Sequence, residues 1–203
     1  MSYQFYNQHA DQLAKRYLAK NFVQVHGSWM HILDTVLNKP QLLILDVGAG
    51  AGRDSKYLAQ QGARVVAVEP ASELARIGME QTKWLNVDWV NDSLPHLPIC
   101  VDKHRLFDLV LLSDVWVYLP DEERANSLNT LVSLLKPQGK IVITLRQSGA
   151  SDEQIIHTAS VNELVGLAHI EGLIPSLITH YDDTSGVDST RWQTVVLIPK
   201  ERA

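Results

Sequence analysis

Residues 42–54 read Leu-Leu-Ile-Leu-Asp-Val-Gly-Ala-Gly-Ala-Gly-Arg-Asp. The apolar residues Leu42–Leu45 and Val47, interrupted only by Asp46, show no polar alternation and suit a strand buried on both faces of a parallel sheet. Three glycines at alternate positions, Gly48, Gly50 and Gly52, then remove the Cβ atoms that would keep another molecule off the backbone. Arg53–Gln61 reads as a helix, and Gly62 stands where a C-cap glycine belongs. Strand, glycine loop and helix in that order are expected to turn free N–H groups and the positive end of a helix dipole toward a bound cofactor.

Working outward, Ala63–Glu69 reads as a second apolar strand that ends in an acid. A carboxylate at that strand tip offers two acceptor oxygens to the two hydroxyls of a ribose. A helix is expected at 72–82 and a strand at 84–90, followed by Asn-Asp-Ser-Leu-Pro. Asp92 falls at the strand end, where the adenine of a nucleoside cofactor would lie, although the cluster also reads as a plain turn. Residues 95–103 read as loop. Leu106–Leu112 is a fourth buried strand, followed by Ser113-Asp114-Val115-Trp116-Val117-Tyr118-Leu119-Pro120. Asp121 reads as the N-cap of a helix striped by Ala125, Leu128, Val132 and Leu135, with Pro137 and Gly139 closing it. Residues 138–145 form a fifth strand with Arg146 at its end. Ser160 and Glu163 read as a capping box opening a helix that Gly172 ends. Leu173–His180 and Trp192–Pro199 are two final strands; the connection at 181–191 carries no helix pattern, so they run antiparallel.

Upstream of the glycine loop, residues 8–25 read as one amphipathic helix, and Trp29, Ile32, Leu33, Val36 and Leu37 share a face of a second that ends before Pro40. These helices either cover the sheet passively or form a lid that brings Tyr3, Tyr6 or Tyr17 to the site. The expected architecture is an α/β three-layer αβα sandwich. Its sheet has seven strands, mostly parallel with one antiparallel, and N-terminal helices are added to it. Residues 1–40 are the helical cover and residues 41–203 the remaining unit of one compact domain.

At 203 residues, with 45% hydrophobic and 20% charged residues, the chain has the balance of a globular domain with a full core. A formal charge of −5 lacks the basic footprint of a dedicated nucleic-acid binder. The single cysteine, Cys100, forbids an intrachain disulfide and fits a reducing compartment. With neither a charged-then-apolar leader nor an apolar run of spanning length, the expectation is a cytoplasmic protein, monomer or homodimer, with no membrane partner.

The glycine spacing separates two cofactor classes. A dinucleotide fingerprint wants its third glycine at the position of Arg53. Gly-x-Gly-x-Gly with an acid two residues earlier resembles motif I of the class I S-adenosylmethionine (SAM) dependent methyltransferases. Ala-Val-Glu-Pro, Phe-Asp-Leu-Val and the late Leu-Leu-Lys-Pro-Gln-Gly-Lys-Ile-Val-Ile-Thr-Leu segment are similar to the same family. The resemblance implies SAM as cofactor and S-adenosylhomocysteine (SAH) as product. It implies that Gly48, Ala49, Gly50 and Gly52 hold the aminocarboxypropyl arm, with Asp46 just before them. By the same resemblance Glu69 takes the ribose, Asp92 the adenine amine, and the Ser113 backbone closes on the methionine end; Pro70 and Ser93 beside them, and Tyr17 from the upstream helices, are expected to join the cofactor site.

In-line methyl transfer draws its rate largely from alignment, and a base is needed only for an acceptor bound protonated. Candidates around the methyl group are Asp114, Tyr118, Arg146 and His157, with Trp116 and the pair Arg191-Trp192 beside them. Eight histidines and one cysteine show no metal-ligand spacing, so no metal site is expected. Ser-Asp-Val-Trp stands where enzymes methylating nucleic-acid amines often carry Asn/Asp-Pro-Pro-aromatic, which argues against a nucleic-acid partner. The reading is methyl transfer to a small-molecule acceptor. A protein or tRNA acceptor, a non-catalytic SAM- or SAH-binding protein, and a nicotinamide oxidoreductase are the alternatives.

Overall fold

The computed structural model describes residues 3–147, 157–183 and 190–200. Strands β1 (Leu43–Val47), β2 (Arg64–Val68), β3 (Val87–Val90), β4 (Phe107–Leu112), β5 (Leu135–Arg146), β6 (Leu173–Asp183) and β7 (Thr190–Pro199) form one sheet. Their order is β3-β2-β1-β4-β5-β7-β6. Strand β7 runs antiparallel to both β5 and β6, and the remaining pairings are parallel. The helices are α1 (Gln4–Gln8), α2 (Ala10–Leu18), α3 (Phe22–His26), α4 (Met30–Leu37), α5 (Arg53–Gln60), α6 (Ser72–Thr82), α7 (Pro98–Asp102), α8 (Asp121–Ser133) and α9 (Val161–Ile170).

Alternation along the buried strands divides the core into two layers. Leu45, Val47, Val110 and Leu112 face Leu128 and Leu131 of α8 and Leu164 and Ala168 of α9. Ile44, Val65, Leu109 and Leu111 face Leu33 and Val36 of α4 and Leu58 and Ala59 of α5. This is the expected three-layer sandwich. No helix among the described residues is long and apolar enough to cross a membrane.

The structure corrects several local expectations. Residues 8–25 do not form one helix. Asn21 is extended at φ −80° and ψ 169°, its side chain accepts from Gln24 N–H, and Gln24 returns the bond to Asn21 N–H. That reciprocal capping box starts a new helix and turns the chain. Helices α3 and α4 belong to the core, where Phe22 stacks on Tyr57 at 4.2 Å between ring centroids. Helices α1 and α2 instead pack on Ala51, Ala71 and Leu74, above the glycine loop.

The stretch 95–103 is not all loop, because Asp92 Oδ2 accepts from Ile99 and Cys100 N–H and so caps α7, with Pro98 in its first turn. Pro137 and Gly139 lie inside β5, beside a register shift between Phe107 and Leu109. A Cβ on Gly139 would stand 2.9 Å from Phe107 O, so the close approach and not a helix stop explains this glycine. Asp121 is the first residue of α8 and Pro120 its cap; the buried face is Arg124, Ser127, Leu128 and Leu131, and Ala125 lies outside it. Ser160 caps α9 by accepting from Glu163 N–H, but the Glu163 carboxylate leaves the box to accept from Arg124 at 2.8 Å. Trp84 is 88% exposed, ahead of β3.

Candidate functional site

Strand register places the site. Val47 pairs with Val68 and with Leu112, and Val68 with Val90, so β1 to β4 end level. The residues that follow, Gly48, Glu69, Asn91 and Ser113, therefore leave the sheet along one edge. The strand order reverses between β1 and β4, and open α/β sheets bind ligands at such a crevice.

A cavity of about 760 Å³ opens at this edge, within the ordinary range for small-molecule sites. Its floor is Val47–Ala51, Arg53 and Asp54. One wall is Val68–Pro70 with Asp92–Leu94, the other is Ser113–Val115 with Tyr118, Leu119 and Arg146, and Tyr3, Tyr6, Arg16 and Tyr17 form the roof. Of the expected residues, Gly48, Ala49, Gly50, Glu69, Pro70, Asp92, Ser93, Ser113, Tyr17, Asp114, Tyr118 and Arg146 line it.

Asp46, Gly52 and His157 do not. Asp46 is 1% exposed beneath the loop and accepts a 2.6 Å bond from Ser55 Oγ. Burial pushes its carboxyl up to about 7, and the Asp54 charge adds to the rise. Gly52 faces α6, where a Cβ would stand 3.0 Å from Gly78 Cα. His157 donates its N–H to Val117 O and offers its carbonyl to Arg124, which makes it part of the α8–α9 anchor. Trp116 is wholly buried in the core. Arg191 meets Gln147 N–H through its carbonyl, while its neighbour Trp192 lines the cavity.

The loop differs from the expected row of free amides. Gly48 and Ala49 N–H donate to Val68 O, Gly52 N–H to Ala49 O, and Gly50 N–H to Glu69 Oε2 at 2.8 Å. The cradle is therefore one of shape. Gly48 and Gly50 hold positive φ angles of 72° and 54°. A Cβ on Gly50 would project toward the ring of Tyr17, 3.6 Å away across the cavity. Glu69 Oε1 accepts from Ala71 N–H, also at 2.8 Å. Each carboxylate oxygen thus spends one lone pair on backbone and keeps one, which suits a ribose diol. Burial raises the Glu69 pKa, against the pull of these two backbone bonds. Asp92 keeps less capacity, since it already accepts from Ser93, Ile99 and Cys100 N–H.

Sequence reading missed a chain of buried polar side chains. Trp29 Nε1 donates to His26 Nδ1 at 3.1 Å, which leaves the His26 proton on Nε2, facing Asp54 Oδ2 at 3.1 Å. Arg53 donates to both Asp54 oxygens, at 2.6 and 2.7 Å, and to Ser113 Oγ at 3.2 Å. Burial disfavours the Asp54 charge, but Arg53 and His26 outweigh it and hold the carboxyl well below the usual range. His26 is fully buried, and its one sequence signal was a histidine at helical spacing from Phe22 and Trp29.

The corner of the cavity beyond β4 and β5 is built from three segments. Asp114 has φ 58°, and its N–H donates to Thr144 Oγ1 at 2.8 Å. Arg146 reaches Asp114 Oδ2 at 3.3 Å and donates to the Tyr118 hydroxyl. The Tyr118 and Tyr6 rings meet edge to face at 6.4 Å. Burial pushes both tyrosine hydroxyls far up, so they stay protonated. It also pushes the Asp114 carboxyl up to about 6, against Arg146, Arg16 and Arg53. Among the described residues no cluster of three or more metal-ligating side chains occurs.

Residues 44–139 match a family described as "Methyltransferase domain". The chain is 34% identical over 129 residues, 60% of its length, to a protein of Alkaliphilus oremlandii described as an uncharacterized methyltransferase, of which it covers 54%. Over 143 residues, 69% of its length, it is 30% identical to the ubiquinone biosynthesis O-methyltransferase of Xanthomonas euvesicatoria, of which it covers 55%. The chain thus spans about half the length of the curated relatives it matches. In fold it is similar to magnesium protoporphyrin IX methyltransferase from Synechocystis, solved with SAH bound, at TM-score 0.72 and 16% identity over 97% of this chain and 98% of that one. It is also similar to 1,6-didemethyltoxoflavin-N1-methyltransferase from Burkholderia thailandensis, at TM-score 0.64 and 21% identity over 94% and 89% of the two chains. With the glycine cradle, the strand-end acid and the reversed seventh strand, these matches give residues 44–139 the likeness of a methyltransferase domain and the chain the fold of the class I SAM-dependent methyltransferases.

Proposed function

We propose that this chain transfers the methyl group of SAM to a small-molecule acceptor. The observation that carries the reading is the Glu69 carboxylate, held by Gly50 and Ala71 N–H beside the glycine cradle, with one acceptor site left on each oxygen. In this reading Glu69 takes the ribose diol, Gly48–Ala51 lie along the aminocarboxypropyl arm, and Asp92 with Ser93 and Leu94 bounds the adenine. Ser113, fixed by Arg53, sits at the methionine end. When bound, the cofactor supplies an electrophilic methyl on a sulfonium whose leaving group departs neutral, so the protein needs no acid for it. The chain's own work is alignment and exclusion of water. Similarity to relatives whose names specify quinone, porphyrin and toxoflavin chemistry supports a small-molecule acceptor over a macromolecule.

Calorimetric titration with SAM, SAH and NAD tests the cofactor, and SAH release against an acceptor panel tests turnover. NAD binding without SAM binding would overturn the reading. SAM binding with no release of SAH would favour a binding protein. We also propose that α1 and α2, rather than the whole of residues 1–40, act as the lid, because they bring Tyr6, Arg16 and Tyr17 to the cavity and pack above the glycine loop, whereas α4 is core and α3, whose Gln24 and Val25 reach the cavity edge, is anchored in the core by Phe22.

A further inference from the structure

Resting on the methyl-transfer reading, one corner of the cavity remains after the cofactor positions are assigned. Arg146, Trp192 and Tyr181 are direct cross-strand neighbours on β5, β7 and β6, so they share one face in a row at the end of the sheet. All three line the cavity, and Tyr118 and Tyr6 close it opposite them. The Arg146 guanidinium lies 5.7 Å from the Tyr118 ring centroid. Such a slot of aromatic faces suits a planar ring.

Among the described residues, one carboxylate oxygen of this corner lacks a donor. Asp114 Oδ1 is buried without a hydrogen bond among the described residues, while Oδ2 faces Arg146. The side chain is held there by backbone in the left-handed region, uncommon for residues other than glycine but open to Asp and Asn, and fixed by the bond to Thr144. The groups that face it are Arg146 from β5, Arg16 and Tyr17 from α2, Arg53 from α5, Tyr6 from α1 and Tyr118 beyond β4. A buried acceptor oxygen asks for a hydrogen-bond donor. An ammonium donor would meet three arginines, so a neutral donor fits. The two tyrosines stay protonated, which leaves Asp114 as the proton acceptor of the corner.

We infer that Asp114 is the general base of the reaction and that the acceptor presents an aromatic or enolic hydroxyl to its Oδ1. A hydroxyl is the acceptor that requires such a group, because a neutral amine attacks with its own lone pair and a thiol ionises readily. As the oxygen–methyl bond forms, the hydroxyl proton passes to Oδ1 and the electron pair of the methyl–sulfur bond stays on sulfur. A sulfonium and a carboxylate become a neutral thioether and a carboxylic acid, and the acid then returns its proton to water. Arg146 steadies the carboxylate before transfer and the developing oxyanion during it.

The test uses catechol, 2-naphthol and 4-hydroxybenzoate against aniline and thiophenol, with the parent and Asp114→Asn, whose amide tolerates the same backbone. SAH binding to both forms, by calorimetry, is expected to agree within about twofold. Phenol turnover is expected to fall roughly 100-fold or more in the variant. The parent's kcat/KM should rise with pH through about 6 and then level, and the variant should lose that limb. Independently of turnover, the SAH complex should bind the phenols about tenfold more tightly at pH 7.5 than at pH 5, and the variant should not. Methylation of aniline or thiophenol but no phenol, no turnover of the panel by an enzyme that binds SAH, or an unchanged pH limb in Asp114→Asn each overturns the inference and leaves the cofactor reading standing. Absence of SAH binding overturns both.

Discussion

Replacing Glu69 by alanine is expected to cost stability as well as cofactor affinity, and the two losses can be measured apart. The carboxylate accepts from Gly50 and Ala71 N–H, both at 2.8 Å, and Glu69 is 8% exposed. Removing it orphans two donors, at about 1–3 kcal/mol each when sealed from water. The cavity beside them admits water, so the low end applies, about 2 kcal/mol in all. For a chain of this length that lowers the melting temperature by roughly 4–8 °C. Loss of the two ribose bonds adds about 1–3 kcal/mol to the binding free energy of SAH, a rise in Kd of roughly 5- to 150-fold. Glu69→Gln should fall between, because its amide can accept from one backbone donor while presenting N–H to the other. Differential scanning calorimetry of ligand-free protein, followed by titration with SAH well below the variant's melting point, separates the effects. An alanine variant that melts with the parent refutes the structural role, and one that binds SAH like the parent refutes the ribose assignment.

Three further outcomes are expected. Arg124→Met removes a fully buried guanidinium that donates to Thr158 O, His157 O and Glu163, and should destabilise by about 2–3 kcal/mol in chemical denaturation, chiefly because the two carbonyls lose their donor. Asp46, with its folded pKa raised to about 7, contributes stability that is complete below the ordinary aspartate range and lost as pH rises through about 7. Asp46→Asn should therefore flatten the fall in melting temperature between pH 5 and pH 8; an unchanged slope would show that the group does not titrate there. In limited proteolysis, SAH should protect cleavage sites at Lys15, Arg16 and Lys20, and equal cutting with and without it would make α1 and α2 scaffolding.

The elements around residues 42–54 were legible because their signals are local: an unbroken apolar run, alternating glycines, and an acid at the next strand tip. The antiparallel pairing of the last two strands was legible from the absence of a helix pattern between them, whereas the place of β7 between β5 and β6 was not. What escaped were effects of distant partners. Asp92 caps a helix whose first donor lies seven residues on, at Ile99, so α7 read as loop. Glu163 left its box for Arg124, a residue that the apolar stripe of its helix did not single out. The amides of the loop read as free, yet Val68 O and Glu69 satisfy them once the neighbouring strand is in register. Arg53 was read as a helix start and a departure from a glycine pattern, and its place in the cavity floor needed Ser113 and Asp54 beside it.

The Trp29–His26–Asp54 contact bears on how this scaffold can be re-engineered. Exchanging the N-terminal helices with those of a relative, to alter acceptor choice, cuts that contact unless both of its ends travel together. A graft that arrives without His26 leaves the buried Asp54 carboxylate with Arg53 alone to answer it. Join points are therefore better placed between α2 and α3, at Ala19–Lys20, upstream of the core residues Phe22, His26 and Trp29. Across related chains positions 26, 29 and 54 should change in concert, as a single inherited unit.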